Sequence, residues 1–269
     1  MSTDSGIYLS YWGLEGRPFE NVPDPDSFYL AESHRWALNL LEYAIQEHKT
    51  AALLTGEYGT GKTTMIRVLL SEIDPEKYRT VLINYPLVEG NALFRHILQQ
   101  TEATPATSAT KSDLYDQLGT YFLDNAGRGL HNLVVLDEAQ SLPLDSQFEE
   151  LRLLLNYQLN NRNLVSLLLV GQDHLWHRVS QMPQLADRFA VKCRLQELDG
   201  AQTTTYIRYR LERFGADPAI FSDEALALIH DSSKGIPRRI NNLCDLALLM
   251  GCQRQLELVG PEIIREIWV

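Results

Sequence analysis

The sequence lacks the features of membrane-inserted, secreted and disulfide-rich chains. No run of about 18 uncharged apolar residues occurs, which excludes a transmembrane helix within it. The N-terminus, Met-Ser-Thr-Asp-Ser-Gly, has neither the basic region nor the apolar stretch of a signal peptide. The three cysteines include no Cys-x-x-Cys pair, which argues against a disulfide framework and a zinc site. We therefore expect a cytoplasmic protein with reduced thiols.

Basic residues are also scarce. The chain has 24 Lys and Arg against 35 Asp and Glu, a formal net charge of −11. Residues 1–200 hold 16 basic and 26 acidic residues, and residues 201–269 hold 8 and 9. A general DNA-coating surface is therefore disfavoured. The charge balance does not exclude a local DNA-binding stripe formed by Arg208, Arg210 and Arg213. A helix face that contacts only solvent explains these three residues more simply.

Strand and helix patterns alternate through the first 200 residues, which predicts an α/β fold with a doubly wound, mostly parallel five-stranded sheet. Five apolar, branched runs are typical of buried strands: Thr50–Thr55, Thr80–Tyr85, Leu133–Asp137, Leu164–Val170 and Val191–Leu195. Beyond Gly200 only helical patterns follow: Thr203–Phe214, Asp223–Asp231, Pro237–Met250 and Pro261–Ile267. We expect an N-terminal extension and helix packing on the core (1–49), an α/β core (50–198) and a helical domain (199–269).

A glycine-rich segment, Gly56-Glu-Tyr-Gly-Thr-Gly-Lys-Thr63, follows the first predicted strand directly. This spacing is typical of a phosphate-binding loop (Walker A), whose backbone N–H groups point at a nucleotide β-phosphate. Lys62 would reach the β- and γ-phosphates and the Thr63 hydroxyl would bind Mg²⁺, while the following helix directs its positive end at the same anion. The predicted ATP-binding residues are Gly56, Glu57, Tyr58, Gly59, Thr60, Gly61, Lys62, Thr63 and Thr64.

Two acidic residues end the third predicted strand. Asp137 can hold Mg²⁺, and Glu138 can polarise the water that attacks the γ-phosphate. Acids often end strands without a catalytic role, but these two follow a phosphate-binding loop in the same chain. The pair is therefore interpreted as the second half (Walker B) of a P-loop NTPase site for MgATP.

Motifs along nearly the whole chain resemble the ExeA-like AAA+ ATPases, which are of the general secretion pathway protein A type. The matching stretches are Tyr11-Trp-Gly-Leu14, Arg17-Pro-Phe19, Pro23-Asp-Pro25, Phe28-Tyr29, His34, Ala37-Leu38, residues 56–64, Leu136-Asp-Glu-Ala-Gln140, Leu151-Arg-Leu-Leu154, Leu169-Val-Gly-Gln172 and residues 235–245. The resemblance implies a P-loop AAA+ core with a C-terminal helical lid. It also implies a homo-oligomer, either ring or filament.

Further site residues follow from this resemblance. Gln172 matches the sensor 1 position and Arg238 the sensor 2 position, both expected to contact the nucleotide phosphates or the attacking water. Arg188 lies where the family places its arginine finger, with Arg178 and Arg194 as alternatives. The aromatic and proline content of residues 7–30 indicates a packed segment, which we expect on the ATPase core near the adenine.

Three functional classes remain open from the sequence. The first is an ATPase that hydrolyses ATP to drive assembly of a secretion, pilus, envelope or exopolysaccharide machine through protein partners. The second is a transposition-regulator ATPase of the TnsC or TniB kind, whose ATP form coats DNA. The third is a nucleotide switch whose hydrolysis only times assembly. The acidic charge disfavours DNA and favours the first class.

Overall fold

All five predicted strands are present in one parallel sheet, with ends displaced by at most two residues. The computed structural model describes residues 7–22, 28–84, 86, 92–101, 105–142 and 145–267, so the predicted Pro23-Asp-Pro25 element and the strand end at Tyr85 lie outside it. The strands in chain order are β1 (Ala51–Gly56), β2 (Tyr78–Ile83), β3 (His131–Leu136), β4 (Gln158–Leu159), β5 (Arg162–Asn163), β6 (Val165–Gly171) and β7 (Phe189–Leu195).

Helices fill the segments between the strands and the whole C-terminal region. They are α1 (Ile7–Trp12), α2 (Glu32–Gln46), α3 (Lys62–Glu72), α4 (Ala92–Gln99), α5 (Lys111–Gly127), α6 (Asp145–Leu154), α7 (His174–Ser180), α8 (Pro183–Ala186), α9 (Gly200–Arg213), α10 (Asp223–Ser233), α11 (Pro237–Gln253) and α12 (Pro261–Ile267). None of the helices in the described part of the chain has both the length and the apolar character that crossing a bilayer requires. The fold class is therefore α/β with a helical C-terminal region, as predicted.

The sheet order is β2-β3-β6-β1-β7, and every pairing in it is parallel. All residues of β1, β3 and β6 are buried, as expected for strands covered on both faces. Thr55 pairs with Gly171 and Leu136 pairs with Leu169, so β1, β3 and β6 end at one edge of the sheet. Whatever follows these three strands is therefore delivered to the same edge, where ligands bind in α/β folds.

The described residues divide into two compact units. One contains residues 34–56 and 65–195, with the whole sheet, helices α4 to α8, and all but the first residues of α2 and α3. Its core includes three fully buried phenylalanines, Phe94 from α4, Phe122 from α5 and Phe148 from α6. Phenylalanine side chains of this size contribute roughly 3–5 kcal/mol each when buried, so these helices anchor firmly to the unit.

The second unit contains residues 1–33, 57–64 and 196–269, and its described helices are α1 and α9 to α12. Ser222 caps α10, since its side chain accepts from the Ala225 N–H at the start of this helix. Asp199 forms a capping box with Gln202 at the start of α9. Both caps satisfy N–H groups that a helix start leaves without intrahelical partners.

The N-terminal segment packs against the C-terminal helices within the second unit. Trp12 is buried, and its indole Nε1 donates to the Leu248 carbonyl at 2.9 Å. A side chain at Gly251 of α11 would overlap the Trp12 ring, so the glycine leaves the space that this ring occupies. Phe19 is also buried in this cluster. These aromatic residues join the apolar cluster of the C-terminal helices, which no sequence pattern locates.

A short hairpin formed by β4 and β5 was not predicted. Its two turn residues, Asn160 and Asn161, have φ values of 48° and 62°. Positive φ at both positions matches the tight turn that joins two antiparallel strands, and asparagine tolerates this region better than most residues. The sequence signal is the Asn-Asn pair, but the two-residue strands carry too little apolar alternation to be recognised.

Two histidines stack at the amino edge of the sheet, where β3 begins. The rings of His48 and His131 lie 3.9 Å apart between centroids and are nearly parallel, and Tyr78 meets both edge-on. His131 Nε2 is 2.9 Å from the Ser166 hydroxyl. Burial, with a smaller contribution from His48, lowers the pKa of His131 to about 4. His131 is therefore neutral in the folded protein over the range in which a free histidine titrates.

This pair predicts a pH-dependent stability. Below pH 6.5 the unfolded chain takes up a proton at position 131, which the folded protein binds only near pH 4. The stability contributed by the neutral ring is present above about pH 6.5 and is lost as the pH falls through about 4. Urea unfolding between pH 7 and 4 should show a smaller loss in His131→Gln than in the wild type. His177→Gln, on an exposed part of α7, should behave as wild type; equal slopes for all three would contradict the assignment.

Candidate functional site

The glycine-rich loop is held in a closed curl around the carbonyl of Glu57. This oxygen accepts from the Thr60 N–H at 3.3 Å, the Thr60 hydroxyl at 2.8 Å and Lys62 Nζ at 2.9 Å. Gly59 and Gly61 have φ values of 91° and 100°, a region that glycine adopts without strain. The curl therefore needs glycine at both positions.

Lys62 is the first residue of α3 and is buried. A buried ammonium needs strong acceptors, and phosphate oxygens are stronger partners than a carbonyl. The start of α3 also presents the positive end of its dipole at the loop. The loop thus combines the backbone, the cation and the helix N-terminus that phosphate binding requires.

Arg238, near the start of α11, contacts this loop. Its backbone N–H donates to the Gly59 carbonyl at 3.2 Å, and its guanidinium lies 4.4 Å from the centroid of the exposed Tyr58 ring. A Cβ at Gly59 would come within 2.8 Å of the Arg238 Cβ, so glycine is also required for this close approach. Two residues predicted to bind the nucleotide, Tyr58 and Arg238, are therefore brought together.

Asp137 and Glu138 follow β3 at the carboxyl edge of the sheet. Asp137 is buried, and its Oδ1 accepts from the Glu138 N–H at 2.8 Å. Glu138 adopts a left-handed conformation, with φ 52° and ψ 36°, and precedes a one-turn 3₁₀ helix over Ala139–Ser141. Non-glycine residues in this conformation often mark functional sites, because the surrounding structure must hold them there.

A third polar residue, Gln140, links Glu138 to the end of β6. Its amide nitrogen donates to the Glu138 carboxylate, and its amide oxygen accepts from the Gln172 N–H at 3.2 Å. The structure thus places the predicted Gln172 beside the segment that carries Glu138. In the sequence, Gln140 stands out only as the last residue of the Asp-Glu-Ala-Gln motif, which by itself indicates no role for it.

The three candidate finger arginines occupy different positions. Arg178 lies inside the unit, where its guanidinium donates to the Gln140 carbonyl at 3.0 Å and the Leu142 carbonyl at 2.6 Å. Arg194 lies near the carboxyl end of β7 and pairs with Asp173 at 2.9 Å. Arg188 precedes β7, at the amino edge, and its Nη2 is 3.2 Å from the Asn156 side chain.

The basic stripe of Arg208, Arg210 and Arg213 is not a continuous basic surface. Arg208 pairs with Asp223 at 3.0 Å. Arg210 is buried and its Nε donates to the Pro18 carbonyl. Two of the three charges are therefore engaged within the chain, which leaves little for attraction of a phosphate backbone.

The residues predicted to hold Mg²⁺ supply oxygen donors. Thr63 is the second residue of α3 and offers a hydroxyl, and Asp137 offers a buried carboxylate. Among the described residues, no group of three or more His, Cys, Asp and Glu side chains gathers as a metal cage. Hydroxyl and carboxylate oxygens are the donor types that Mg²⁺ prefers, and Mg²⁺ usually binds few protein oxygens because it retains waters and substrate phosphates.

Comparisons with known proteins agree with this geometry. Residues 45–179, half of the chain, match the family described as AAA domain. General secretion pathway protein A of Aeromonas hydrophila is 35% identical over 92% of this chain and 45% of its own length. Replication factor C subunit 5 of Arabidopsis thaliana is 26% identical over 81% of this chain and 52% of its own length. The chain thus spans about half the length of these curated relatives.

Solved structures show the same fold. The Aeropyrum pernix ORC2 protein superposes with a TM-score of 0.69 over 94% of this chain and 71% of its own, at 17% identity. Thermotoga maritima RuvB gives a TM-score of 0.58 over 91% of this chain and 71% of its own, also at 17% identity. At such identities the likeness concerns the fold alone. With the AAA domain match and the relationship to general secretion pathway protein A, the chain belongs to the AAA+ P-loop family and to its ExeA-like group.

Proposed function

We propose that this chain is an ATPase that hydrolyses MgATP as an oligomer and thereby drives or regulates assembly of a multiprotein machine. The observation that carries the proposal is the common edge of the sheet. There β1 leads into a curled phosphate loop, β3 leads into Asp137 and Glu138, and β6 leads into Gln172. Separate motifs, far apart in sequence, thus follow strands that end side by side.

In this proposal the loop binds the substrate phosphates. Backbone N–H groups of residues 56–64 surround the β-phosphate, and Lys62 exchanges the Glu57 carbonyl for phosphate oxygens. Arg238 leaves the Tyr58 ring for the phosphates, since an anion attracts a guanidinium more strongly than an aromatic face does. Thr63 and Asp137 would hold Mg²⁺, which would supply positive charge beside the substrate phosphates when bound.

Hydrolysis then depends on Glu138. Its carboxylate accepts a proton from water while the water oxygen forms a bond to the γ-phosphorus. The bond between that phosphorus and the β–γ bridging oxygen breaks, so ADP leaves with the electron pair. The proton passes to the phosphate product or to solvent, which restores the carboxylate. Gln172 orients the attacking water or the γ-phosphate.

Arg188 is proposed to act on a neighbouring subunit. It precedes β7, whereas Asp137, Glu138 and Gln172 follow strand ends at the opposite edge. The seven residues of β7, at about 3.3 Å each, separate the two edges by roughly 20 Å, which is more than an arginine side chain spans. A head-to-tail interface would present Arg188 to the next subunit and would form a ring or a filament.

The cellular role is proposed from the relative that shares 35% identity, general secretion pathway protein A. An ATPase of this group would act on protein partners of a secretion, pilus, envelope or exopolysaccharide machine. The transposition-regulator class remains the alternative, and ATP-dependent, salt-sensitive DNA binding would favour it. The net charge of −11 and the internal pairing of Arg208 and Arg210 support the first class.

Nucleotide affinity should depend on Lys62. We expect Lys62→Ala to weaken MgATP binding at least about 100-fold in titration calorimetry, because the phosphates lose their principal cation. Lys77→Ala removes an equal charge from an exposed position and should bind as the wild type does. Unchanged affinity in Lys62→Ala would show that the loop does not bind the phosphates.

Turnover should depend on Glu138 while binding does not. Glu138→Gln should keep the wild-type dissociation constant for MgATP but lose roughly 100-fold or more in kcat, since general-base catalysis contributes about that factor. Glu257→Gln changes an exposed glutamate and serves as the control. If Glu138→Gln turns over at the wild-type rate in a steady-state phosphate-release assay, the base lies elsewhere.

The proposed interface predicts complementation between inactive variants. Arg188→Ala should lose about 1,000-fold or more in kcat, the usual contribution of an arginine finger. Mixing it with Lys62→Ala should restore activity, because some interfaces then pair an intact loop with an intact finger. Wild-type specific activity should also rise with protein concentration. Activity of a species that stays monomeric in light scattering with ATP would overturn the assignment.

A further inference from the structure

We propose that Gln140 is a positioning residue that holds the Glu138 carboxylate and ties it to the end of β6. The proposal rests on the function above in one respect, because it takes Glu138 as the base of ATP hydrolysis. Gln140 lies outside the predicted site residues. Both the nitrogen and the oxygen of its side-chain amide form hydrogen bonds.

The orientation of the Gln140 amide follows from its partners. The backbone N–H of Gln172 can only donate, so the amide oxygen must face it, at 3.2 Å. The amide NH₂ then faces the Glu138 carboxylate, which can accept. A flipped amide would set donor against donor and acceptor against acceptor. Gln140 is therefore held in one orientation by two elements of the unit.

The end of β6 is shaped to admit this side chain. A Cβ at Gly171 would overlap the amide oxygen of Gln140 and would also come within 2.8 Å of Leu175. Gly171 is not among the residues with positive φ, so backbone strain does not explain the glycine. The space that it leaves beside the strand is the space that the Gln140 amide occupies.

The backbone of Gln140 is fixed from α7. Arg178 donates to the carbonyls of Gln140 and Leu142, lies 4.6 Å from the centroid of the Phe148 ring, and is 3.6 Å from Asp145. Ser141 adds a hydrogen bond from its hydroxyl to the Glu138 carbonyl at 2.7 Å. These contacts hold the main chain of residues 138–142 in place. The distance between the Gln140 backbone and the Glu138 carboxylate is therefore fixed by the fold.

The chemical consequence concerns the carboxylate of Glu138. A glutamate has several rotatable bonds, and a base that samples many rotamers spends little time oriented toward water. Donation from Gln140 to one oxygen restricts these rotamers and leaves the other oxygen to accept a proton. Since the same amide accepts from Gln172, a displacement of the β6 end on nucleotide binding would be transmitted to the base through two hydrogen bonds.

The test replaces Gln140 by methionine, which has nearly the same length but cannot form these hydrogen bonds. Gln140→Met should keep the MgATP dissociation constant and KM within about two-fold and should lose roughly 10- to 100-fold in kcat, as expected for one hydrogen bond to a charged group. Gln181→Met makes the same change at an exposed position that ends α7 and should retain wild-type kcat. Wild-type kcat in Gln140→Met would overturn the proposal.

A double substitution separates positioning from a structural role. If Gln140 acts through Glu138, adding Gln140→Met to Glu138→Gln should not lower the residual kcat further. A multiplicative loss in the double variant would show that Gln140 acts independently of the base and would refute the proposal. If Glu138→Gln alone retained wild-type turnover, the assignment of the base would fail first. The two failures are thus distinguishable.

A second variant keeps the test informative if Gln140→Met does not fold. Gly171→Ala leaves the Gln140 side chain intact but fills the space that its amide occupies. It should lower kcat with unchanged MgATP affinity, and circular dichroism and thermal unfolding should confirm a folded chain. A folded Gly171→Ala with wild-type kcat would contradict the inferred role of the amide.

Discussion

All six residues of β1 are buried, because β6 and β7 pair with its two edges and packed elements cover its two faces. Polar residues that are open to a ligand can therefore follow only where the strand ends. Because the neighbouring strands are parallel, their polar residues collect at the same edge. The segments that follow β1, β3 and β6 are the glycine-rich loop, the acidic pair and Gln172.

Two glycines each make room for a close contact within their own unit. Gly59 allows the Arg238 backbone to approach the loop, and Gly171 allows the Gln140 amide to reach β6. Neither glycine contributes a functional group. Each instead provides the volume in which a polar side chain from another element makes its contacts. Each of these contacts is sensitive to a single added methyl group, because closely packed surroundings can move only slightly to accommodate extra volume.

In the second unit, the N-terminal segment packs through its aromatic side chains. Tyr8, Trp12 and Phe19 are buried among the C-terminal helices, and the Trp12 indole N–H is satisfied by a helix carbonyl. Aromatic side chains bury large areas, so even a segment with one short helix can be held in place by a few of them. In this unit residues near the two ends of the sequence share one core.

The sequence by itself determined the elements that local pattern controls. The five strands, the phosphate loop, the acids after β3 and the cap at Ser222 are visible because burial of both faces, glycine spacing and capping chemistry act over a few residues. Only the tertiary structure decided the partners of Gln140, Arg178 and Arg210 and the packing of residues 7–22. These contacts join residues distant in sequence, so their distances and free volumes exist only after the chain has folded.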